Sequence, residues 1–276
     1  MAYKRILTIQ DISCVGQCSM TVAMPILSAC GHETCILPTA LLSTHTGGFG
    51  KPAVFHLDGA MDALWRHWKD LGITFDAILT GYLGSVAAVE TAMEIIAQML
   101  APGGIAIVDP AMADHGRLYS GLSAEYANAM ERLCRRADVL LPNITEAAML
   151  SGLPYREELT EGYVTDLLDA LGHKCVVLTG VGFRPEETGC MVREGQRQVY
   201  LPHPRVSKSY HGTGDMFAAS FTGALMQEKA LEDAARIAAE FTRLAIENTA
   251  QAPAHWYGVK FETALPELIR MLEKQK

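Results

Sequence analysis

Residues 211–217, HGTGDMF, place two glycines and an aspartate directly before a run of small apolar residues. Gly212 and Gly214 can take backbone conformations closed to other residues, and they let main-chain N–H groups converge on an anion with no Cβ in the way. The helix expected after them points its positive end at the same place. An aspartate is ill placed beside a phosphate held as a static ligand, because like charges repel. Asp215 makes chemical sense as a base that takes the proton from a hydroxyl attacking that phosphate. Gly212, Thr213 and Gly214 would then hold the transferring group. Taken alone, the same four residues are more often a loop end and a helix start. Neither G-x-x-x-x-G-K-[ST] nor a completed G-x-G-x-x-G occurs, so neither of the two common nucleotide fingerprints supports the site.

Other chemistry-bearing residues sit in short loops. Asp109 lies in VDPAMADHG (108–116), and Asn143 and Glu146 lie in LPNITEA (141–147). Two carboxylates and an amide of this kind suit hydrated Mg²⁺, which keeps its waters and takes few protein ligands. Asn143 and Glu146 equally suit a plain helix start with acidic charge in its first turn. LLSTHTGG (41–48) and TGYLGS (80–85) set hydroxyls, an imidazole and an aromatic ring among glycines. Such a set fits a flat, polar heteroaromatic ligand, with Tyr82 stacking and Thr46 or His45 bonding ring substituents. His45 and His211 also read as ordinary loop or core histidines. Cys14 and Cys18 flank a glycine in a loop, where one could approach a ligand, although packing explains them as well.

These residues need elements to position them. RILTI (5–9), TCIL (34–37), AILTG (77–81), IAIVD (105–109), DVLLP (138–142) and CVVLT (175–179) read as short buried strands. Helical spacing fills 85–100, 123–136 and 164–171, and alternation of this kind predicts a mostly parallel sheet with helices on both faces, an α/β fold. Residues 188–201 read as a β-hairpin around REGQ, and helices are expected near 214–227, 231–248 and 261–274. No repeat or linker interrupts 1–276, which predicts one domain. In an open parallel sheet ligands lie beyond the carboxyl ends of the strands. The polar segments follow those ends, and this shared position weighs more than any one motif.

Composition narrows the class. The chain has 276 residues, is 49% hydrophobic and 20% charged, and carries a net charge of −8. With no dense basic patch (ERLCRRAD at 131–138 mixes signs), nucleic acid is a poor partner. No apolar run is long enough to span a membrane, and the short run after MAYKR is a strand rather than a signal peptide. Seven cysteines, odd in number and without C-x-x-C, read as reduced thiols of a cytoplasmic protein rather than disulfides or a zinc site.

In order, ILTIQDISCVGQCSMTVAMPIL, STHTGG, TGYLGS, DPAM-x-D-x-G-x-LY, PNITEA and HGTGDMFAA resemble the pyridoxal kinase family of the ribokinase superfamily, over residues 6–219. The resemblance implies a ribokinase-like fold and ATP-dependent transfer to the 5′-hydroxymethyl group of pyridoxal, pyridoxamine or pyridoxine, the B6 vitamers. It implies Asp215 as the base and the amides of Gly212, Thr213 and Gly214 as stabilisers of the transferred group. Asp109, Asn143 and Glu146 match positions around Mg²⁺ and the ATP phosphates, with Asp109 and Glu146 on the metal side. Asp114 matches an acidic position of the same loop, and Thr179 a threonine near the phosphates. Thr46 and Tyr82 match contacts to the vitamin ring, and Tyr119 belongs to the covering loop. A homodimer and a monovalent cation such as K⁺ are implied too. Asp11 departs from the serine many relatives carry, where an acid would face a protonated ring nitrogen and alter substrate preference. Hydroxymethylpyrimidine kinases share the fold and the glycine–aspartate loop, but lack of a GSD-like N-terminal signature lowers that alternative. A non-catalytic vitamin carrier would have no use for a base beside an anion site. Segments 47–57 and 112–122 are the candidates for a lid.

Overall fold

The chain builds a central sheet flanked by two helical layers. The computed structural model describes residues 2–206, 210–252 and 254–273, which leaves Ser209 and the final residue of the helix expected to reach 274 outside it. Among the described residues the main sheet has nine strands. They are β1 (Arg5–Ser13), β2 (Glu33–Leu42), β3 (Val54–His56), β4 (Phe75–Thr80), β5 (Leu100–Val108), β8 (Val139–Leu140), β9 (Cys175–Val181), β10 (Glu187–Glu194) and β11 (Arg197–Pro204). Their order is β11-β10-β9-β8-β5-β4-β1-β2-β3. From β9 to β2 neighbours run parallel, while β10, β11 and β3 are antiparallel additions at the two edges. A two-stranded ribbon, β6 (Ala113–Asp114) and β7 (Arg117–Leu118), stands apart.

The central strands are apolar on both sides because both faces are covered. On one face pack α2 (Asp58–Asp70), α3 (Val86–Met99), α4 (Ala124–Cys134), α5 (Ile144–Ser151) and α6 (Glu161–Leu171), around Trp65, Met130 and Leu133. On the other lie α1 (Met20–Ala29), α7 (Thr213–Met226), α8 (Leu231–Ala250) and α9 (Leu265–Glu273), around Ile26, Phe221 and Phe241. Helix α7 is buried from Met216 through Ala224, which explains its small residues. At Gly223 a Cβ would stand 2.4 Å from Cys30 Sγ, so α1 and α7 approach to a distance only glycine allows.

Local chemistry sets the boundaries. Ser85, Ser123 and Thr160 each accept an N–H from the first turn of α3, α4 and α6. Gly152 and Gly172 end α5 and α6 at φ 70° and 67°. The expected strands and helices are present with shifted ends. β1 and β2 run longer than expected, β8 is cut to Val139–Leu140, and the last helix is split by a 3₁₀ turn at Phe261–Thr263. The edge strand β3 and helix α2 occupy a stretch where the sequence predicts no element; VFH is exposed and carries no alternation to read.

Candidate functional site

The strand order reverses around β1, whose neighbours β2 and β4 lie on opposite sides, and ligand crevices of open sheets form at such a point. Asp11 is near the end of β1, Tyr82 follows β4, Asp109 follows β5, Asn143 follows β8, and Thr179 is on β9. One edge of the sheet therefore gathers them as expected.

Helix α7 enters this edge from the other layer. Gly212 precedes it at φ 81°, and a Cβ there would lie 2.0 Å from the Gln17 carbonyl oxygen. Glycine is required at that position both for conformation and for space. At Gly214 a Cβ would meet no atom within 4 Å. No side chain caps α7, so its first N–H groups are left for a ligand. Thr213 bonds back to the Tyr210 carbonyl through its hydroxyl at 3.4 Å. Asp215, in the first turn, accepts the Ser19 N–H on Oδ2 at 2.8 Å. Burial pushes its carboxyl up to about 7, against the pull of that N–H and helped by the negative charge of Asp11.

Asp11 is 3% exposed, accepts the Ser13 hydroxyl at 3.3 Å, and is also pushed upward by burial. Its backbone N–H bonds to the Tyr82 carbonyl at 3.2 Å. The Tyr82 and Tyr119 rings stand 6.5 Å apart, tilted by 50°. Thr46 is exposed and makes no hydrogen bond among the described residues. Its neighbours are fixed: His45 Nδ1 accepts the Gly47 N–H at 3.0 Å, and the His45 and His211 rings lie 4.6 Å apart.

A second group of acids lies beside the first. Asp109 is buried, and its carboxylate has no hydrogen-bond partner among the described residues. Burial raises its pKa well above the usual carboxylate range, and the charges of Glu146 and Asp215 add to this. Asn143 and Glu146 form a reciprocal cap on α5: Asn143 Oδ1 accepts the Glu146 N–H and Glu146 Oε2 the Asn143 N–H, both at 2.9 Å. Glu146 Oε1 accepts N–H groups of Met112 and Ala113 at 3.1 and 3.4 Å, while Asn143 Nδ2 donates to the Ala113 carbonyl at 2.8 Å. The helix-start and site readings of this pair are thus both served by one arrangement. Burial raises Glu146 as well. Thr179 pairs with Asn143 in an isolated bridge. Asp114 is on the exposed β6–β7 turn, its Oδ1 accepting the His115 N–H at 2.8 Å.

A metal would find one free donor in Asp109 and a fixed charge in Glu146. Among the described residues no group of three or more His, Cys, Asp or Glu is arranged around a metal ion. A carboxylate with no protein hydrogen bond among the described residues, still reached from the surface and with a second acid beside it, fits a cation that is held mostly through water and phosphate oxygens.

Sequence reasoning did not single out the C-terminal segment 255–258. Phe49 packs on Trp256 and Tyr257 at 4.7 and 5.4 Å, and His255 Nε2 is 2.9 Å from Gln17 Oε1. This segment clasps both the 47–57 region and the loop after β1. HWYG carries no periodicity or motif that would have announced it. The seven cysteines are all free thiols, Cys14 exposed and Cys18 buried, with burial pushing the Cys18 thiol up to about 12.

A doubly covered parallel sheet, an uncapped helix N-terminus behind a glycine pair, and a half-buried aspartate in its first turn set this chain among α/β folds with one candidate anion site at the sheet edge. The phosphomethylpyrimidine kinase family model matches residues 27–259. The chain therefore belongs to this family, which takes in the pyridoxal kinases of the ribokinase superfamily. A pyridoxine/pyridoxal/pyridoxamine kinase of Bordetella bronchiseptica is 30% identical over 90% of both chains. A hydroxymethylpyrimidine/phosphomethylpyrimidine kinase of Bacillus subtilis is 29% identical over 63% of this chain, and the match spans 64% of that protein's length. The crystal structure of pyridoxal kinase from Lactobacillus plantarum superposes with a TM-score of 0.89 at 33% identity, covering 99% of each chain. No helix among the described residues is long and apolar enough to cross a membrane.

Proposed function

We propose that this chain is an ATP-dependent kinase of the 5′-hydroxymethyl group of B6 vitamers. The observation that carries the reading is Asp215: a half-buried carboxylate in the first turn of α7, bonded to one backbone N–H, with Gly212 fixing the loop and Gly214 leaving room for a phosphoryl group. Asp215 takes the proton from the substrate hydroxyl as its oxygen bonds to the γ-phosphorus, and the bond to ADP breaks. The N–H groups of Gly212, Thr213 and Gly214 and the helix end stabilise the charge spread over the transferring group. Positioning and charge neutralisation do most of the work in such a transfer.

Asp11, Tyr82, Tyr119 and Thr46 are the vitamin-ring contacts, supported by the grouping of the first three at the ends of β1 and β4 and just after β7. Asp109, with Glu146 behind it, would hold Mg²⁺, which supplies neutralisation of the ATP phosphates. Asn143, Asp114 and Thr179 line the same nucleotide side, and K⁺ belongs to the reading through the family resemblance. A homodimer is supported by Leu41, Val54 and Phe55, exposed along the β2–β3 edge; a 30.0 kDa species on gel filtration would count against it. The cytoplasm is the expected compartment, in keeping with seven free thiols.

A second reading, phosphorylation of hydroxymethylpyrimidine, is favoured by the description of the matching family and by the Bacillus subtilis relative. Incubation with ATP and Mg²⁺ and each of pyridoxal, pyridoxamine, pyridoxine and hydroxymethylpyrimidine, with product identified by mass, separates the two. A phosphorylated B6 vitamer is expected; turnover of the pyrimidine alone would transfer the chain to the second reading.

A further inference from the structure

The loop that leads from β1 into α1 contains a residue in an unusual state. Ser19 sits at φ 49°, ψ −129°. Of the three non-glycine residues with positive φ among those described, Ser19, His115 and Glu228, it alone is buried. Serine at a helix start ordinarily adopts an extended backbone and accepts an N–H from the first turn, as Ser85 and Ser123 do here. Ser19 caps nothing with its side chain. Its carbonyl accepts the N–H groups of Val22 and Ala23 at 3.1 and 2.9 Å, so the helix still begins normally. Its own N–H is turned out of the helix and donates to Asp215 Oδ2 at 2.8 Å, 196 positions away in sequence. This is the one hydrogen bond the Asp215 carboxylate makes among the described residues. The Ser19 side chain is turned to the Asp11 carboxylate, which Ser13 also approaches.

We propose that Ser19 is a positioning residue for the base: its positive-φ backbone aims a single N–H at Asp215 Oδ2 and leaves the other oxygen to meet the substrate hydroxyl. The inference rests on Asp215 being the base of a kinase. An ordinary helix-start conformation would turn that N–H elsewhere and free the carboxylate to rotate. Strain of this kind persists only where surrounding structure holds it, and it gathers at functional sites. Here the holding is visible, since the neighbouring Gln17 is pinned by His255 and Glu262 and by Gly258, where a Cβ would stand 2.5 Å from the Gln17 Cβ.

Two variants and one spectroscopic measurement test this. Valine is strongly disfavoured at positive φ, so Ser19→Val should withdraw the N–H. The expected loss is about a hundredfold in kcat with KM changed by less than about threefold, as for a misplaced catalytic group. The acid limb of kcat/KM should also move to higher pH, because a donor favouring the carboxylate is gone. Glycine accepts the conformation without strain, so Ser19→Gly should recover most of that loss. A Ser19→Val enzyme with wild-type kcat and an unmoved limb, or a Ser19→Gly enzyme as impaired as Ser19→Val, would overturn the proposal. Should Ser19→Val fail to fold, NMR of the unsubstituted protein decides. The Ser19 amide proton should shift with the ionisation of Asp215 and cease to do so in Asp215→Asn; an amide that does not titrate refutes the contact. That measurement needs no turnover, so a chain inactive on every alcohol offered would sink the kinase reading while the Ser19 result stood or fell by itself.

Discussion

Asp215 is an acid whose folded-state pKa is raised, from the usual 3.8 to about 7, mainly by burial. Two consequences follow at the scale of this residue. As a base it works only when ionised, so kcat/KM should fall as pH drops through about 7; a profile flat from about pH 5 to 9 would contradict this. As a folded-state group it opposes stability once charged. Its carboxyl is protonated in the fold at pH values where the unfolded chain has already lost the proton, so stability is lost as pH rises between the two pKa values and stays lost above the higher one. Asp215→Asn should therefore raise Tm at about pH 8, by a free energy of up to about 4 kcal/mol, and the gain should shrink toward about pH 4. Thermal melts at the two pH values check it, and an equal shift at both would argue against a charge effect. From sequence, the residue types of the site were readable, since Asp, Asn, Glu and Gly at strand ends carry their chemistry in their names. The backbone state of Ser19 was not, because it arises from contacts with residues far along the chain.

At the scale of elements, the start of α7 makes a sharp distinction between its two glycines. Gly212→Ala forces a Cβ to within 2.0 Å of the Gln17 carbonyl at a φ of 81°, so it should destabilise the protein and distort the loop. Gly214→Ala meets nothing in the protein itself and should melt within about 1 kcal/mol of wild type, yet lose turnover through contact with the phosphoryl group. Equal effects of the two substitutions on Tm would refute this assignment of space. The helices with a Ser, Thr or Asn cap were legible because the cap and the apolar period coincide. β8 was overestimated because Leu141 and Pro142 continue the apolar run of Val139 and Leu140 beyond the strand, the chain leaving the sheet toward the Asn143 cap. β3 and the HWYG clasp were illegible, since both derive their places from partners on other segments.

At the scale of the whole molecule, one sheet carries two apolar layers, and most site residues hang from the sheet edge or from α7, with Glu146 on α5 and Asp114 and Tyr119 at the β6–β7 ribbon. Because each central strand contributes side chains to both layers, the layers should unfold together. Phe221→Ala in one layer should cost about 3–5 kcal/mol and Leu133→Ala in the other about 2–5 kcal/mol. Both should move a single transition in denaturant, and two separate transitions would break the one-domain reading. The α/β class was plain in the sequence from the alternation of short Val/Ile/Leu runs with helical periods, whereas the strand order was not, since periodicity says nothing of which strands are neighbours. The account stands or falls on the base. The most direct test is the ATP- and Mg²⁺-dependent phosphorylation rate of pyridoxal by Asp215→Asn beside the unsubstituted chain, with folding of the variant checked by circular dichroism. A folded variant slowed at least about 10²-fold is the expected result; a folded variant with undiminished kcat would contradict the role of Asp215 on which the rest depends.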